Sequence, residues 1–225
     1  MTPTVLNAII LAGCYLLLFT LGELLYYCFK IKAEITRKIV HIGTGLLALS
    51  FPLLLANHWC VLVLCTLFAG ILIVSLRFDL LRSINAIDRQ SIGSLAYPVS
   101  VYGCYLTYHL YDNHYVYYYL PILILAICDP IAGLTGRRWP LGAYRIAGAN
   151  KTLMGSLMFM LSAMLLITLY LFLFCHAVVD SSFLVTVLVV ASLATIAEAV
   201  SRDGYDNLTI PLSVILGLVL TRSIV

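Results

Sequence analysis

The chain has 225 residues, of which 63% are hydrophobic and only 10% charged, with a mean hydropathy of +1.05. A water-soluble chain of this size cannot hide so much apolar surface, so soluble folds are excluded, a protein-kinase fold among them. The net charge of +3 names no partner, and a nucleic-acid partner is not expected. What informs is where the charges fall.

Apolar runs of about 20 residues recur, each able to cross a bilayer as a helix. They predict one all-α polytopic transmembrane catalytic domain over residues 1–225, with eight spans at about 5–28, 39–56, 58–76, 94–111, 115–134, 153–175, 182–200 and 208–224. A β-barrel would instead alternate apolar and polar residues in segments of roughly 10. The second span is short and holds Pro52, and the eighth holds Pro211, so seven spans is the alternative count. The first run starts near Val5 with no basic segment before it and reads as a retained span; Glu23 inside it sits near an interface. The seven cysteines are odd in number, lack a CxxC pair and lie mostly inside the apolar runs. They read as packing residues, neither a zinc site nor a disulfide framework.

The connections sort by charge. Loop 29–38 carries Lys30, Lys32, Arg37 and Lys38, loop 77–93 carries Arg77, Arg82 and Arg89, loop 135–152 carries Arg137, Arg138, Arg145 and Lys151, and loop 201–207 carries Arg202. The alternate connections, at 57, 112–114 and 176–181, hold no Lys or Arg. The positive-inside rule then puts the basic loops in the cytoplasm and the N-terminus outside, with Arg222 alone on the other side. A bacterial inner membrane or an endoplasmic-reticulum-type membrane would serve. Tyr105, Tyr108, Tyr111, Tyr115, Tyr117, Tyr118 and Tyr119 flank the outer connection at 112–114, where an aromatic belt belongs.

Every candidate for chemistry gathers on the basic face. Arg37 and His41 lie four residues apart, on one side of a helix, and a histidine one turn into a span needs a partner. Lys30 and Lys32 read as snorkelling cations. In the second loop Ser91 or Ser94 can cap a helix, and Arg89 is the phosphate candidate. The fifth apolar run is expected to break at Asp129-Pro130, because proline cannot donate the helical hydrogen bond. Asp129 would then stand at a helix end, beside unpaired carbonyls that suit a cation. A loop follows with Gly133, Gly136, Gly142 and Gly148 among its cations, and Lys151-Thr152 is expected to open the next helix, whose free N–H groups suit a phosphate.

Glu198 lies inside the end of an apolar helix, where ionisable groups are costly and usually functional. Of Asp206 and Asn207, one can cap the last helix and the other remains for a metal. Asp112 and Asp180 read as solvated. A Walker A loop is excluded, since the eight residues ending at Lys151-Thr152 lack both required glycines. A carboxylate for Mg²⁺ beside a basic, glycine-rich cradle indicates a nucleotide handled at a membrane surface.

These residues resemble the CTP-dependent lipid-alcohol kinases: dolichol kinase, phytol and farnesol kinases, and the fungal CTP-dependent diacylglycerol kinase. The likeness is carried, in order, by Arg37 to His41; by Arg89 to Gly93 with Tyr97-Pro98; by Asp129 to Gly136 closed by Lys151 to Ser156; and by Glu198-Ala199 with Asp206 to Pro211. It spans about residues 37 to 211.

The resemblance implies transfer of the CTP γ-phosphate to the hydroxyl of a membrane alcohol, whether polyprenol, phytol-like isoprenoid or diacylglycerol. Nucleotide contacts would come from Arg89, Gly133, Gly136, Arg137, Gly148, Lys151, Thr152 and Gly155. Mg²⁺ would be held by Asp129, Asp206 and Asn207. Arg37 and Lys38 would balance charge on the transferred group, and Glu198 or His41 would take the hydroxyl proton. Met154 departs from the family, which usually has an acid before that glycine. Two other classes compete. One is a CTP:phosphatidate cytidylyltransferase, in which the lipid phosphate attacks the α-phosphorus. The other is a membrane transporter, against which stand the missing inverted repeat and the crowding of polar groups at one face. Oligomeric state is not legible.

Overall fold

The computed structural model describes residues 3–86 and 92–221. Its helices are α1 (Pro3–Tyr27), α2 (Ala33–Ala48), α3 (Phe51–Leu54), α4 (His58–Arg77), α5 (Arg82–Asn85), α6 (Gly93–Leu110), α7 (Val116–Leu123), α8 (Asp129–Arg138), α9 (Leu153–Phe174), α10 (Ser181–Val200) and α11 (Asp206–Thr221). A π-helical turn, Ile124–Cys128, joins α7 to α8, and two short strands, β1 (Ala143–Ile146) and β2 (Ala149–Thr152), form an antiparallel hairpin. Apart from that hairpin, the described residues form an all-α membrane protein.

Among the described residues, five helices are long and apolar enough to cross a bilayer: α1, α4, the continuous rod Val116–Arg138, α9 and α10. The other three expected spans fall on shorter elements. Residues 39–56 divide into α2 and α3 around a turn at Ser50, 94–111 lies on α6, and 208–224 on α11. α1 exposes Leu6, Ile9, Ile10, Leu17 and Leu21 along its length. Such a surface suits hydrocarbon, where no polar face is required.

The rod of α7, the π turn and α8 is the centre of the fold. It packs against α2, α6, α9 and α11, while α1 and α4 flank α2 and α6, and α10 flanks α9 and α11. Tyr118, Leu120, Ile122, Ile124 and Leu125 of the rod are wholly buried. α8 meets α9 where Gly136 faces Gly155, and a Cβ on Gly136 would lie 3.2 Å from the Gly155 Cα. The absence of side chains there lets two backbones touch.

Two expectations about this region are corrected. The rod does not end at Asp129-Pro130 but runs on to Arg138. Proline at the second position of α8, within the first turn, removes one N–H, and the widened π turn ahead of it absorbs the change in register. Leu125 illustrates the accommodation. In π spacing its carbonyl would look to the N–H of Pro130, which does not exist; His41 Nε2 sits 3.0 Å from that carbonyl instead. The histidine supplies the donor that the proline lacks.

The second correction concerns Lys151, which lies on β2 and not in the first turn of a helix. The hairpin turns at Ala147 and Gly148, both with positive φ (49° and 80°), as a tight two-residue connection requires. Thr152 then caps α9, its Oγ1 accepting from the Gly155 N–H at 3.1 Å.

Candidate active site

The first turns of α2, the start of α8, β2 with the start of α9, the end of α10 and the start of α11 converge on one cavity of about 890 Å³, its open mouth included. Its lining unites Arg37, Lys38 and His41 with Asp129, Gly133, Gly136 and Arg137. From later in the chain it adds Lys151, Thr152, Gly155, Glu198, Asp206 and Asn207. Five stretches, most of them remote from one another in sequence, thus share one solvent space. Gly148 does not line it; it sits at the hairpin tip, packed against Arg202. Arg89, Asp88 and Ser91 lie outside the described residues, as does Arg222.

The cations are held by specific means. Lys151 Nζ lies 2.5 Å from Glu198 Oε1, and Ser156 Oγ donates to the other carboxylate oxygen at 3.4 Å. Glu198 is only 5% exposed, so its charge depends on that lysine, and removing either partner would strand a buried ion. Arg137 Nη2 pairs with Glu34 Oε1 at 2.6 Å across the mouth. Lys38 reaches over Gly133 so closely that a Cβ there would collide with its Nζ. Lys38 lies just ahead of the expected span at 39–56, and burial lowers its pKa while Asp129 pulls it back up.

Asn207 is anchored by its own polar atoms. Its Nδ2 donates to the Gly93 carbonyl at 2.6 Å, and its carbonyl accepts from Ser100 Oγ at 2.5 Å. That orientation leaves Oδ1 as the remaining acceptor of the amide. The carboxylates of Asp129 and Asp206 border the same cavity. Hard oxygen donors of this kind fit Mg²⁺, which is typically bound through one or two carboxylates while keeping waters and phosphate oxygens as its other ligands. No cluster of three or more His, Cys, Asp or Glu side chains is preassembled among the described residues. A cation arriving with a nucleotide needs none.

His41 borders a second cavity as well. This one, about 670 Å³ with its mouth, lies between α1, α2, α4 and α6 and is walled mainly by apolar side chains. Arg37, His41 and Asn207 are common to both cavities. Because His41 Nε2 faces the Leu125 carbonyl, which can only accept, that nitrogen carries a hydrogen. Tyr97 stacks edge-on against the ring at 4.9 Å. An imidazole held in place by its Nε2–H and by the Tyr97 ring stands at the junction.

One lining residue, Glu34, escaped the sequence reading, and two others, Asn150 and Ser156, were given no role in it although Ser156 closes the motif at 151–156. Glu34 lay in plain view, one helical turn before Lys38, but its partner Arg137 is far along the chain. Ser156 stands one residue past the Gly155 that was singled out. Conversely Lys30 and Lys32 are exposed, in keeping with snorkelling, and Glu23 accepts from the Ser83 N–H at 2.8 Å, tying α1 to α5.

A phytol kinase of Synechocystis sp. is 35% identical over 210 residues, which is 91% of this chain and 87% of that enzyme. No family model matches the sequence, and no solved structure matches significantly. Identity at this level over nearly the full length settles the family: the chain belongs to the lipid-alcohol kinases.

Proposed function

We propose that this lipid-alcohol kinase transfers the γ-phosphoryl group of CTP to the hydroxyl of an isoprenoid alcohol such as phytol, with its polar cavity open to the cytoplasm. The observation that carries the proposal is the pair of cavities that meet at Arg37, His41 and Asn207, one polar and cation-rich, the other apolar. A phosphoryl donor and a lipid acceptor need that junction. The choice of CTP rests on the family resemblance, and phytol on the relative.

The chemistry follows from the side chains. Lys151, Arg137 and the N–H groups at the start of α9 hold the triphosphate, and Gly133 and Gly136 let it approach the backbone. Asp129, Asp206 and Asn207 would hold Mg²⁺, which supplies charge neutralisation between the phosphate groups. Arg37 and Lys38 stabilise the phosphoryl group in flight. The alcohol oxygen forms the new bond to the γ-phosphorus, the bridging P–O bond breaks, and CDP leaves with the electron pair.

The hydroxyl proton goes to His41 Nδ1, the ring nitrogen not engaged by the Leu125 carbonyl. Glu198 is the less suitable base, since it is ion-paired and does not border the apolar cavity. Its part is to hold Lys151 in place until phosphate competes for the lysine.

The test uses purified protein with Mg²⁺, a panel of lipid alcohols and phosphatidate, and CTP labelled at the γ- or the α-phosphorus. Label from the γ-position in an alcohol is the expected result. Label from the α-position in lipid would instead make the protein a cytidylyltransferase.

A further inference from the structure

We propose that the apolar cavity is a chain-length gauge: it takes one hydrocarbon chain, hydroxyl end at His41, and stops it against an aromatic floor of Tyr15, Phe51 and Phe68. The inference rests on the kinase reading above and deepens it from a substrate class to a selection rule.

The cavity is polar at one end and aromatic at the other. Its polar mouth is the junction at Arg37, His41 and Asn207. From there it follows α6 from Gly93 to Val101, eight residue rises, or about 12 Å. At the far end the chain turns out of α2 into α3 and lays Phe51, 2% exposed, across the cavity. Tyr15 meets Phe68 at 4.5 Å between ring centroids and Phe51 at 6.2 Å, so its ring bridges the other two. A floor of aromatics packed in this way does not yield as a single flexible side chain would.

Beyond the polar mouth, where Arg37, Ser94 and Asn207 stand, the walls are mainly apolar. The hydroxyls of Tyr15 and Tyr97 and that of Thr44 all face backbone carbonyls, at 3.2, 3.5 and 2.9 Å. A substrate oxygen placed beside them would lose its water and gain no donor. Diacylglycerol carries two ester groups close behind its hydroxyl, together with a second chain. A prenol carries neither. The cavity therefore favours a single-chain isoprenoid alcohol over a glyceride, and among prenols it favours those whose chain ends at the floor.

The experiment measures kcat/KM for geraniol, farnesol, geranylgeraniol, phytol and diacylglycerol in the wild-type protein and two variants. Wild type should peak at one chain length and lose about tenfold or more one step beyond it, the scale at which pockets discriminate size. Phe51→Leu should move the peak to longer prenols, and Val101→Phe to shorter ones. A flat wild-type profile, equal use of diacylglycerol, or a peak unmoved in active variants overturns the gauge while leaving the kinase standing. Wild type that phosphorylates no alcohol overturns both. If either variant fails to fold, the unaltered protein still decides: a prenol with a diazirine at its tail should label peptides holding Tyr15, Phe51 or Phe68. Labelling confined to other segments overturns the gauge.

Discussion

The two ends of the molecule use polar residues in opposite ways. At the tyrosine-rich end, hydroxyls are spent on the backbone: Tyr118 donates to the Ala48 carbonyl at 2.7 Å and Tyr105 to Leu55 at 2.9 Å. The rings there stack on one another, as Tyr115 does on Tyr108 and Tyr119. At the opposite end, charged groups from α2, α8, β2, α10 and α11 are held around an open cavity, with glycines where side chains would fill it. One end uses polarity to close itself. The other keeps polarity available, and a phosphorylated substrate is what such an arrangement can receive.

The sharpest way to break this contrast is Asp129→Asn. The change keeps shape and removes one charge from the proposed cation site. Turnover is expected to fall by about a thousandfold or more, with thermal unfolding in detergent unchanged within error. Near-normal turnover would remove Asp129 from the chemistry. Next comes His41→Gln, which retains a donor for the Leu125 carbonyl but no usable base. A fall in kcat on the order of a hundredfold is expected, with KM for the nucleotide little altered. If kcat holds while Glu198→Gln abolishes it, the base assignment reverses.

Much of the fold was legible because hydrocarbon imposes a simple rule. α1, α4, α9 and α10 are apolar on every side, so length and composition suffice to find them. The members of the polar site were legible for a related reason: Asp129, Lys151, Glu198 and Asp206 are each anomalous in an apolar chain. What sequence could not display was coupling between distant segments. Pro130 reads locally as a stop, yet the rod runs on to Arg138, and the carbonyl of Leu125 just ahead of it meets His41, 84 positions away from that leucine. Glu34 reads as an ordinary first-turn acid until Arg137 is seen opposite it. The β1–β2 hairpin was invisible for another reason. Its strands have four residues each, too short for any alternation to register, and its turn is Ala-Gly where Asn-Gly would have signalled one.

Glycine substitutions sharpen the comparison at intermediate size. A Cβ at Gly136 would lie 2.6 Å from Thr152 Oγ1 and 3.2 Å from the Gly155 Cα. The hydroxyl is engaged in capping α9, and the second neighbour is backbone that cannot swing aside. Gly136→Ala should therefore part α8 from α9, costing about 1–3 kcal/mol as overpacking does and raising KM for the nucleotide about tenfold through a displaced cap. Gly103→Ala is the control. Nothing lies within 4 Å of a Cβ at Gly103, so stability and activity should hold. Equal effects at both sites would show that helix propensity, not close approach, governs these glycines.

The smallest effect belongs to the closed end. Tyr118 is fully buried, and its hydroxyl serves only the Ala48 carbonyl. Tyr118→Phe keeps the ring and its packing but leaves that carbonyl without this donor. A loss of about 1 kcal/mol is expected, read as a modest drop in unfolding temperature in detergent. Activity on the preferred alcohol should stay unchanged, since no atom of either cavity is touched. A stable variant with a changed kcat would mean that the closed end communicates with the open one along the rod. The same hydroxyl ties α7 to the end of α2, the helix that carries Arg37, Lys38 and His41 at its other end, so this is the route such coupling would take.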